Sequence, residues 1–482
     1  MAAAHGGGGQ PPMPDAPPES PSAPPGRDRL AAVLSALESG LLERRTAVRL
    51  TLLAALAGEH TLLVGPPGTA KSQLARRLHL AFRDGLYFER LLTRYTVPEE
   101  LFGPLSISAL EEDRWERQTD GFLPQASIAF IDEVFKANSA ILNALLTLLN
   151  EREFDNGPRR ETCPLVSVIG ATNEIPEDEV GEAFLDRFLI RLPVAPVTQP
   201  AFRRLLDLDP HQPAAPVEAL PKPARQAIAR AALEVRVTDE VAGVLGELRA
   251  FLASQRWYVS DRRWVKVVWL LKVAAAAEGR GAVSLWDLWL LPWCTAPDAA
   301  RQAGVATWLS SRLGLREAMS PPRLSRVVEA FEAQAEAEHA ADDLDYDESG
   351  RLRFGGDLGD RVVDAKGGSA APRMASGRRR RYGETHVGAR LRQVDELTRR
   401  IDEYLREVSE RRADLGAWRA RSLWADPDFA QRADEALAAS TEAVRALRLR
   451  AGRAREAFQA LPRLPVDPGL APPPVEHEPL AT

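Results

Sequence analysis

The sequence predicts an α/β core, a parallel sheet flanked by helices, followed by an all-helical region and then a discontinuous helical region. Three observations predict it. Short apolar runs at 61–64, 127–131, 166–171 and 188–192 alternate with helical segments, as parallel strands joined by crossover helices do. The first run ends directly in a glycine-rich loop that opens a helix. From Ala224 the apolar spacing becomes helical.

Taken in order, residues 1–27 are rich in Pro, Gly and Ala, have neither a basic start nor a continuous apolar segment, and read as a disordered tail. Residues 28–197 form the α/β core, opening with helical spacing over 30–57. The Pro-rich stretch 198–223 reads as a linker. Residues 224–315 form an all-helical domain whose tryptophans, Trp257, Trp264, Trp269, Trp286, Trp289 and Trp293, follow helical patterns expected of core. Residues 316–461 form the discontinuous helical domain, with a charged, Gly-rich insert at 341–384. Within it Val394, Leu397, Ile401, Tyr404, Val408, Leu415 and Trp418 recur in steps of three and four, broken once at Arg411, and Asp426-Pro427 starts a second long helix, predicting a helical hairpin. The Pro-rich stretch 462–482 reads as a second disordered tail.

At 482 residues the chain is too long for one core. A formal charge of -6 does not suggest a general binder of nucleic acid or membrane surfaces. Cys163 and Cys294 fall in different predicted domains without metal-ligand spacing, so reduced, buried thiols are expected. The most apolar stretch, 264–277, carries Lys266 and Lys272 and is too short to span a bilayer, so a cytoplasmic protein without membrane insertion is expected.

The loop Gly65-Pro66-Pro67-Gly68-Thr69-Ala70-Lys71-Ser72, followed by Gln73, departs from the phosphate-binding pattern only where Ala70 replaces the glycine before the lysine. Its N–H groups and the next helix N-terminus can surround a β-phosphate, Lys71 can reach the β and γ oxygens, and the Ser72 hydroxyl can bind Mg²⁺. The strand 128–131 ends in Asp132 and Glu133, suited to holding the Mg²⁺ shell and to deprotonating the attacking water. Asn173, after the next strand, is expected beside Glu133, holding that water or sensing the γ-phosphate; the competing reading is a turn cap. Together these predict ATP as substrate and Mg²⁺ as cofactor.

Arg187, in Asp186-Arg187-Phe188, is placed to reach a neighbouring subunit's γ-phosphate, against a surface pair with Asp186, and Arg191 is the alternative trans-acting residue. Ser260 or Asp261 caps a helix whose first turn holds Arg262 and Arg263. Arginines there oppose the helix dipole, so a nucleotide phosphate is the expected compensating anion, with Arg262 as the site residue, against simple solvation of both arginines.

These motifs, with Val97-Pro98-Glu99-Glu100-Leu101-Phe102-Gly103-Pro104-Leu105, Ala140-Ile141-Leu142-Asn143-Ala144-Leu145-Leu146, Asn150-Glu151-Arg152 and Thr172-Asn173-Glu174, resemble the MoxR family of AAA+ ATPases. Phe102-Gly103-Pro104-Leu105-Ser106 and Phe135-Lys136-Ala137-Asn138-Ser139 resemble its RavA (regulatory ATPase variant A) branch. The resemblance covers about 30–315, and more weakly the rest. It implies a five-stranded AAA+ core, a helical lid, a hexameric ring with ATP between subunits, and chaperone work on a von Willebrand factor A-domain partner, including metal loading. It also implies an inserted helical element at about 101–116 and a hairpin at about 154–163 on the ring surface or pore. The insert at 341–384 is shorter and more Gly-rich than the β-rich module of that branch.

Two other functions compete. A nucleic-acid motor or loader would use the basic run Arg378 to Arg381, which lacks aromatic stacking partners. A scaffold would hold nucleotide without turnover, which the set Lys71, Asp132, Glu133 and Asn173 disfavours.

Overall fold

The computed structural model describes residues 24–83, 85–176, 179–209, 215–313, 315, 317–341, 345–346, 352–353 and 380–480. It comprises two units, Met1–Thr307 with Ser422–Asp426, and Trp308–Arg421 with Pro427–Thr482.

The first unit opens with α1 (Arg27–Glu38) and α2 (Arg45–Ala57). There follow β1 (His60–Val64), α3 (Lys71–Leu80), β2 (Tyr87–Leu91), the short α4 (Pro98–Phe102) and α5 (Ile107–Leu110), and β3 (Ile128–Asp132). Next come α6 (Ser139–Glu151), a hairpin of β4 (Glu153–Asn156) and β5 (Arg159–Thr162), β6 (Ser167–Thr172), α7 (Glu179–Leu185) and β7 (Phe188–Pro193). Five strands make a parallel sheet in the order β2-β3-β6-β1-β7. Every residue of β6 is buried, as a central parallel strand covered on both faces must be, which explains its unbroken small and apolar sequence. Gly170 within it is tight against the Phe188 ring, where an added Cβ would come within 2.9 Å.

His60, which reads from sequence as a loop residue, is instead the first residue of β1 and is 1% exposed. Its Nδ1 accepts from the Val168 N–H at 2.9 Å, which leaves the ring proton on Nε2 facing Leu149 O at 3.1 Å.

The chain continues through α8 (Gln199–Leu206), inside the expected linker, then α9 (Lys222–Glu234), α10 (Asp239–Ser254), α11 (Asp261–Ala277), α12 (Leu291–Thr295) and α13 (Ala299–Arg312). Thr238 and Ser260 cap α10 and α11 by accepting N–H bonds from Val241 and Arg263. Cys163 and Cys294 are free and buried. The segment Ser422–Asp426 belongs to this unit: Trp424 is 1% exposed, and its indole N–H donates to Ala274 O at 3.1 Å.

In the second unit α14 (Pro321–Ala340), α15 (Glu384–Arg421) and α16 (Pro427–Gln459) pack on one another, burying the whole stripe from Val394 to Trp418. A two-residue antiparallel pair, β8 (Asp345–Tyr346) and β9 (Leu352–Arg353), lies between α14 and α15 in sequence. Residues 342–344, 347–351 and 354–379 of the expected insert, Arg378 and Arg379 among them, fall outside the described residues, as do residues 1–23 of the expected N-terminal tail. The stretch read as a C-terminal tail has no helix or strand over 465–480, yet it is packed: Val475 and Leu480 are buried, and Arg390 donates to Pro473 O at 2.7 Å. Proline locks an extended chain at low entropic cost, so side-chain donors suffice to seat it. No described helix is long and apolar enough to cross a membrane.

Candidate nucleotide site

Gly65 extends β1 by donating to Thr172 O at 2.9 Å, and a Cβ there would lie 2.2 Å from Val194 O, so the chain can leave the sheet here only at glycine. The loop passes through left-handed backbone at Gly68 (φ 77°) and Ala70 (φ 65°) before α3 begins at Lys71. An alanine in that region is strained, the kind of cost kept at functional loops. Arg44, which no sequence pattern marks, braces the loop: its Nε donates to Thr69 O at 3.1 Å and its Nη2 to Ala195 O at 2.6 Å.

Lys71 folds across its own loop, with Nζ donating to Gly65 O at 2.5 Å and Pro66 O at 2.9 Å. Burial lowers its pKa, while Asp132 and Glu133 nearby work in the opposite direction. Carbonyls are weaker partners for an ammonium than phosphate oxygens, so this side chain is poised to exchange them.

Glu133 stands at the end of β3 in left-handed backbone (φ 52°), its N–H held by Asp132 Oδ1 at 3.0 Å. Asn173, just beyond β6, donates from Nδ2 to Glu133 Oε1 at 2.7 Å, and Lys136 Nζ lies 3.3 Å from Oε2. Asn173 therefore meets Glu133 rather than merely capping a turn. Thr172 helps to turn the chain there by donating to Glu174 O at 2.6 Å. Lys71, Asp132, Glu133 and Asn173 thus gather at the carboxyl ends of β1, β3 and β6, where open parallel sheets bind ligands. Ser72 and Asp132 offer hard oxygen donors, the type Mg²⁺ takes alongside water and phosphate, and no group of three or more His, Cys, Asp or Glu among the described residues suggests another metal.

Arg187 and Arg262 are elsewhere. Phe188 pairs with His60, the first residue of β1, so Arg187 is at the amino end of the sheet. Five residues of strand, about 16 Å, separate that end from Gly65, beyond the reach of one arginine side chain. Arg187 is 19% exposed, 3.8 Å from Asp186, and its Nε makes no hydrogen bond. Burial and, secondarily, the charge of Arg262 lower its pKa. Arg191 is buried and donates to Leu185 O at 3.1 Å.

Within the chain itself, both arginines of the first turn of α11 have partners other than a phosphate. Arg262 donates to Asn150 Oδ1 at 2.5 Å. Arg263, 3% exposed, is compensated from within the chain: it donates to Asp186 Oδ1 (3.1 Å) and to the carbonyls of Cys294, Phe188 and Leu189. Ser260, not Asp261, is the cap.

The two inserted segments meet each other. Asn156 in β4 accepts from Arg117 N at 2.6 Å and donates to Arg117 O at 3.2 Å, while Phe102 stacks on Phe154 with centroids 5.2 Å apart. Ile107 and Trp115 remain exposed on the first segment.

Residues 28–229 match the family profile described as the MoxR domain in the MoxR-vWA-beta-propeller ternary systems, and residues 240–309 match an AAA lid domain. The uncharacterized protein MJ0079 of Methanocaldococcus jannaschii is 42% identical over 265 residues, 55% of this chain and 69% of its own length. Chaperone MoxR1 of Mycobacterium tuberculosis is 29% identical over 184 residues, 36% of this chain and 48% of its own. The crystal structure of a candidate ATPase from Cytophaga hutchinsonii covers 54% of this chain and 84% of its own, at 18% identity and a TM-score of 0.46.

Proposed function

The chain belongs to the MoxR family of AAA+ ATPases, and on that premise we propose that it is a Mg²⁺-dependent ATPase motor whose sites are completed between copies in a hexameric ring. One observation carries the reading: Glu133 and Asn173 meet at 2.7 Å at the end of the sheet where Lys71 lies, while Arg187, on which the charge of Arg262 acts, stands at the other. A hydrolytic set and a pair of guanidiniums that cannot reach it fit a head-to-tail assembly, in which each chain supplies arginines to its neighbour.

Lys71 leaves Gly65 O and Pro66 O for the β and γ oxygens of ATP, while the N–H groups of 68–73 surround the phosphates. Ser72 and Asp132 would hold Mg²⁺, which would supply positive charge against the phosphate oxygens. Glu133 accepts a proton from the attacking water, and Asn173 fixes the carboxylate that does so. Arg187 of the neighbouring copy stabilises the transition-state charge, with Arg262 beside it. Greater exposure favours Arg187 over the buried Arg191 in this role.

The work done with this energy is remodelling or assembly of partner proteins in the cytoplasm, by a member akin to the RavA branch. The matched profile's description points to a von Willebrand factor A-domain partner, with metal loading of that domain as one form of the work. The clamped inserted segments, with Ile107 and Trp115 exposed, are the elements offered to such a protein.

ATP turnover against protein concentration tests the reading. Specific activity should rise with assembly, Glu133→Gln should bind ATP yet lose roughly 10²-fold or more in turnover, and Arg187→Ala should lose roughly 10³-fold. Mixing Lys71→Ala chains with Arg187→Ala chains should recover activity, because one donates the arginine and the other the intact loop. Turnover independent of concentration, with no recovery on mixing, would sink the shared site; full binding without turnover in the parent chain would leave a scaffold.

A further inference from the structure

The proposed hydrolysis has no use for Arg191, yet this residue lines a cavity of about 490 Å³ beside the start of α11. The lining holds four arginines, Arg191, Arg256, Arg263 and Arg301, against two carboxylates, Glu182 and Asp186. Arg187 and Arg262 are not among the lining residues.

Charge inside this wall is poorly balanced. Asp186 alone faces three guanidiniums, Arg263 at 3.1 Å, Arg187 at 3.8 Å and Arg191 at 4.0 Å. Arg263 has an acceptor for each of its nitrogens, but the buried Nε of Arg191 has none. Arg191 is 6% exposed, so solvent supplies little of what it lacks. A buried cation without a full partner is expensive, by more than packing around it recovers.

Three further features act in the same direction. Ser260 caps α11 at the wall, bringing the positive end of a 17-residue helix dipole to the cavity. Arg256, exposed at the turn after α10, has no ion-pair partner among the described contacts. Arg301 comes from the first turn of α13, where Asp298 pairs with it at 3.3 Å, and Tyr258 stands 90% exposed at the rim.

We infer that this cavity is a second anion site, distinct from the nucleotide loop, which takes a dianionic phosphoryl group of a small molecule between Arg191, Arg256 and Arg301 at the start of α11. With Arg187 and Asp298, which pair into this wall, five arginines stand against three carboxylates, and the surplus of two matches a phosphate monoester, which carries close to two negative charges at neutral pH. Guanidiniums bind such a group through paired N–H donors, and it would bring Arg191 the negative charge that Asp186, shared among three guanidiniums, supplies only in part. The site is at the amino end of the sheet, with Asp186 and Phe188, so it does not compete with Lys71 for the same phosphate.

The test uses the full chain carrying Lys71→Ala, which silences the nucleotide loop in every copy, and inorganic phosphate as the probe. Phosphate should raise the melting temperature of the first unit by a few degrees in a saturable way, whereas chloride at equal ionic strength should not. The surface variant Arg256→Ala/Arg301→Ala, in the same background, should lose that rise while keeping the circular dichroism of its parent. Arg191→Met should lose it as well and melt higher than its parent without phosphate, because an unbalanced charge has gone. A rise undiminished in Arg256→Ala/Arg301→Ala, or no rise in the Lys71→Ala chain at tens of millimolar phosphate, overturns the inference. Should Arg191→Met fail to fold, the surface pair decides alone. Because Lys71 is absent throughout, neither outcome depends on the hydrolytic reading.

Discussion

Asp186→Ala removes the carboxylate that faces Arg263, Arg191 and Arg187. Arg263 keeps its carbonyl acceptors at Cys294, Phe188 and Leu189, so its donors stay largely satisfied, but its charge and that of Arg191 lose their counter-ion. Breaking a fully buried pair costs about 3–5 kcal/mol. The Asp186 side chain is 34% exposed, so water screens part of that interaction, and the expected loss is about 2–3 kcal/mol. For a unit of this size, about 2 °C accompanies each kcal/mol, giving a fall of roughly 4–6 °C. Differential scanning calorimetry of the full chain should show the transition of the first unit moving while that of the second stays. Adding Arg191→Met to Asp186→Ala should recover part of the loss, since it removes a charge then left unpaired. A fall under about 1 °C, or no recovery in the double variant, refutes the charge argument.

Three further outcomes follow from the same geometry. Burial, and secondarily Arg152, holds the pKa of His60 well below its ordinary value, so the folded chain stays neutral there while the unfolded chain binds a proton near pH 6.5. Its contribution to stability is complete above that pH and falls by up to about 1.4 kcal/mol per unit below it; His60→Asn, which keeps an acceptor for the Val168 N–H, should flatten the slope in urea unfolding between pH 7.5 and 5.5, and an unchanged slope would rule His60 out as its source. Ala70→Gly relieves left-handed strain of about 1–2 kcal/mol and gives back about 0.5–1 as unfolded-state entropy, so the melting temperature should rise by roughly 1–2 °C, and a fall would contradict the strain. Asn156→Ala breaks its bonds to Arg117 and to Glu161, should cost about 2 kcal/mol, and should speed hydrogen exchange at the Arg117 amide; unchanged exchange would mean the clamp is dispensable.

Chemistry carried by neighbouring residues was legible in the sequence. Gly65 to Ser72, Asp132-Glu133 and Asn173 each announce themselves within a few positions, and the parallel sheet brings them to one end without further information. β2 was not among the runs read as strands, because Tyr87-Phe88-Glu89-Arg90-Leu91 mixes charge with apolar residues, as an edge strand paired only with β3 can. The partner of Arg263 was not legible for a related reason. Its carboxylate lies 77 positions away at Asp186, and such a contact leaves no local trace. Arg44 and Asn156 were missed likewise, since each acts through carbonyls or amides whose identity does not depend on side-chain type. The C-terminal stretch shows the opposite error: proline content was read as disorder, whereas Arg390, Val475 and Leu480 seat it.

The left-handed backbone at Glu133 has a bearing on how this position can change over generations. Glutamate tolerates that conformation poorly and glycine or asparagine accepts it, so a population selected for heat resistance alone would drift toward those residues here. Only continued demand for turnover keeps the carboxylate in place. A lineage that has relaxed this position to glycine, while retaining the glycine-rich loop, would bear the mark of a motor turned nucleotide-gated clasp.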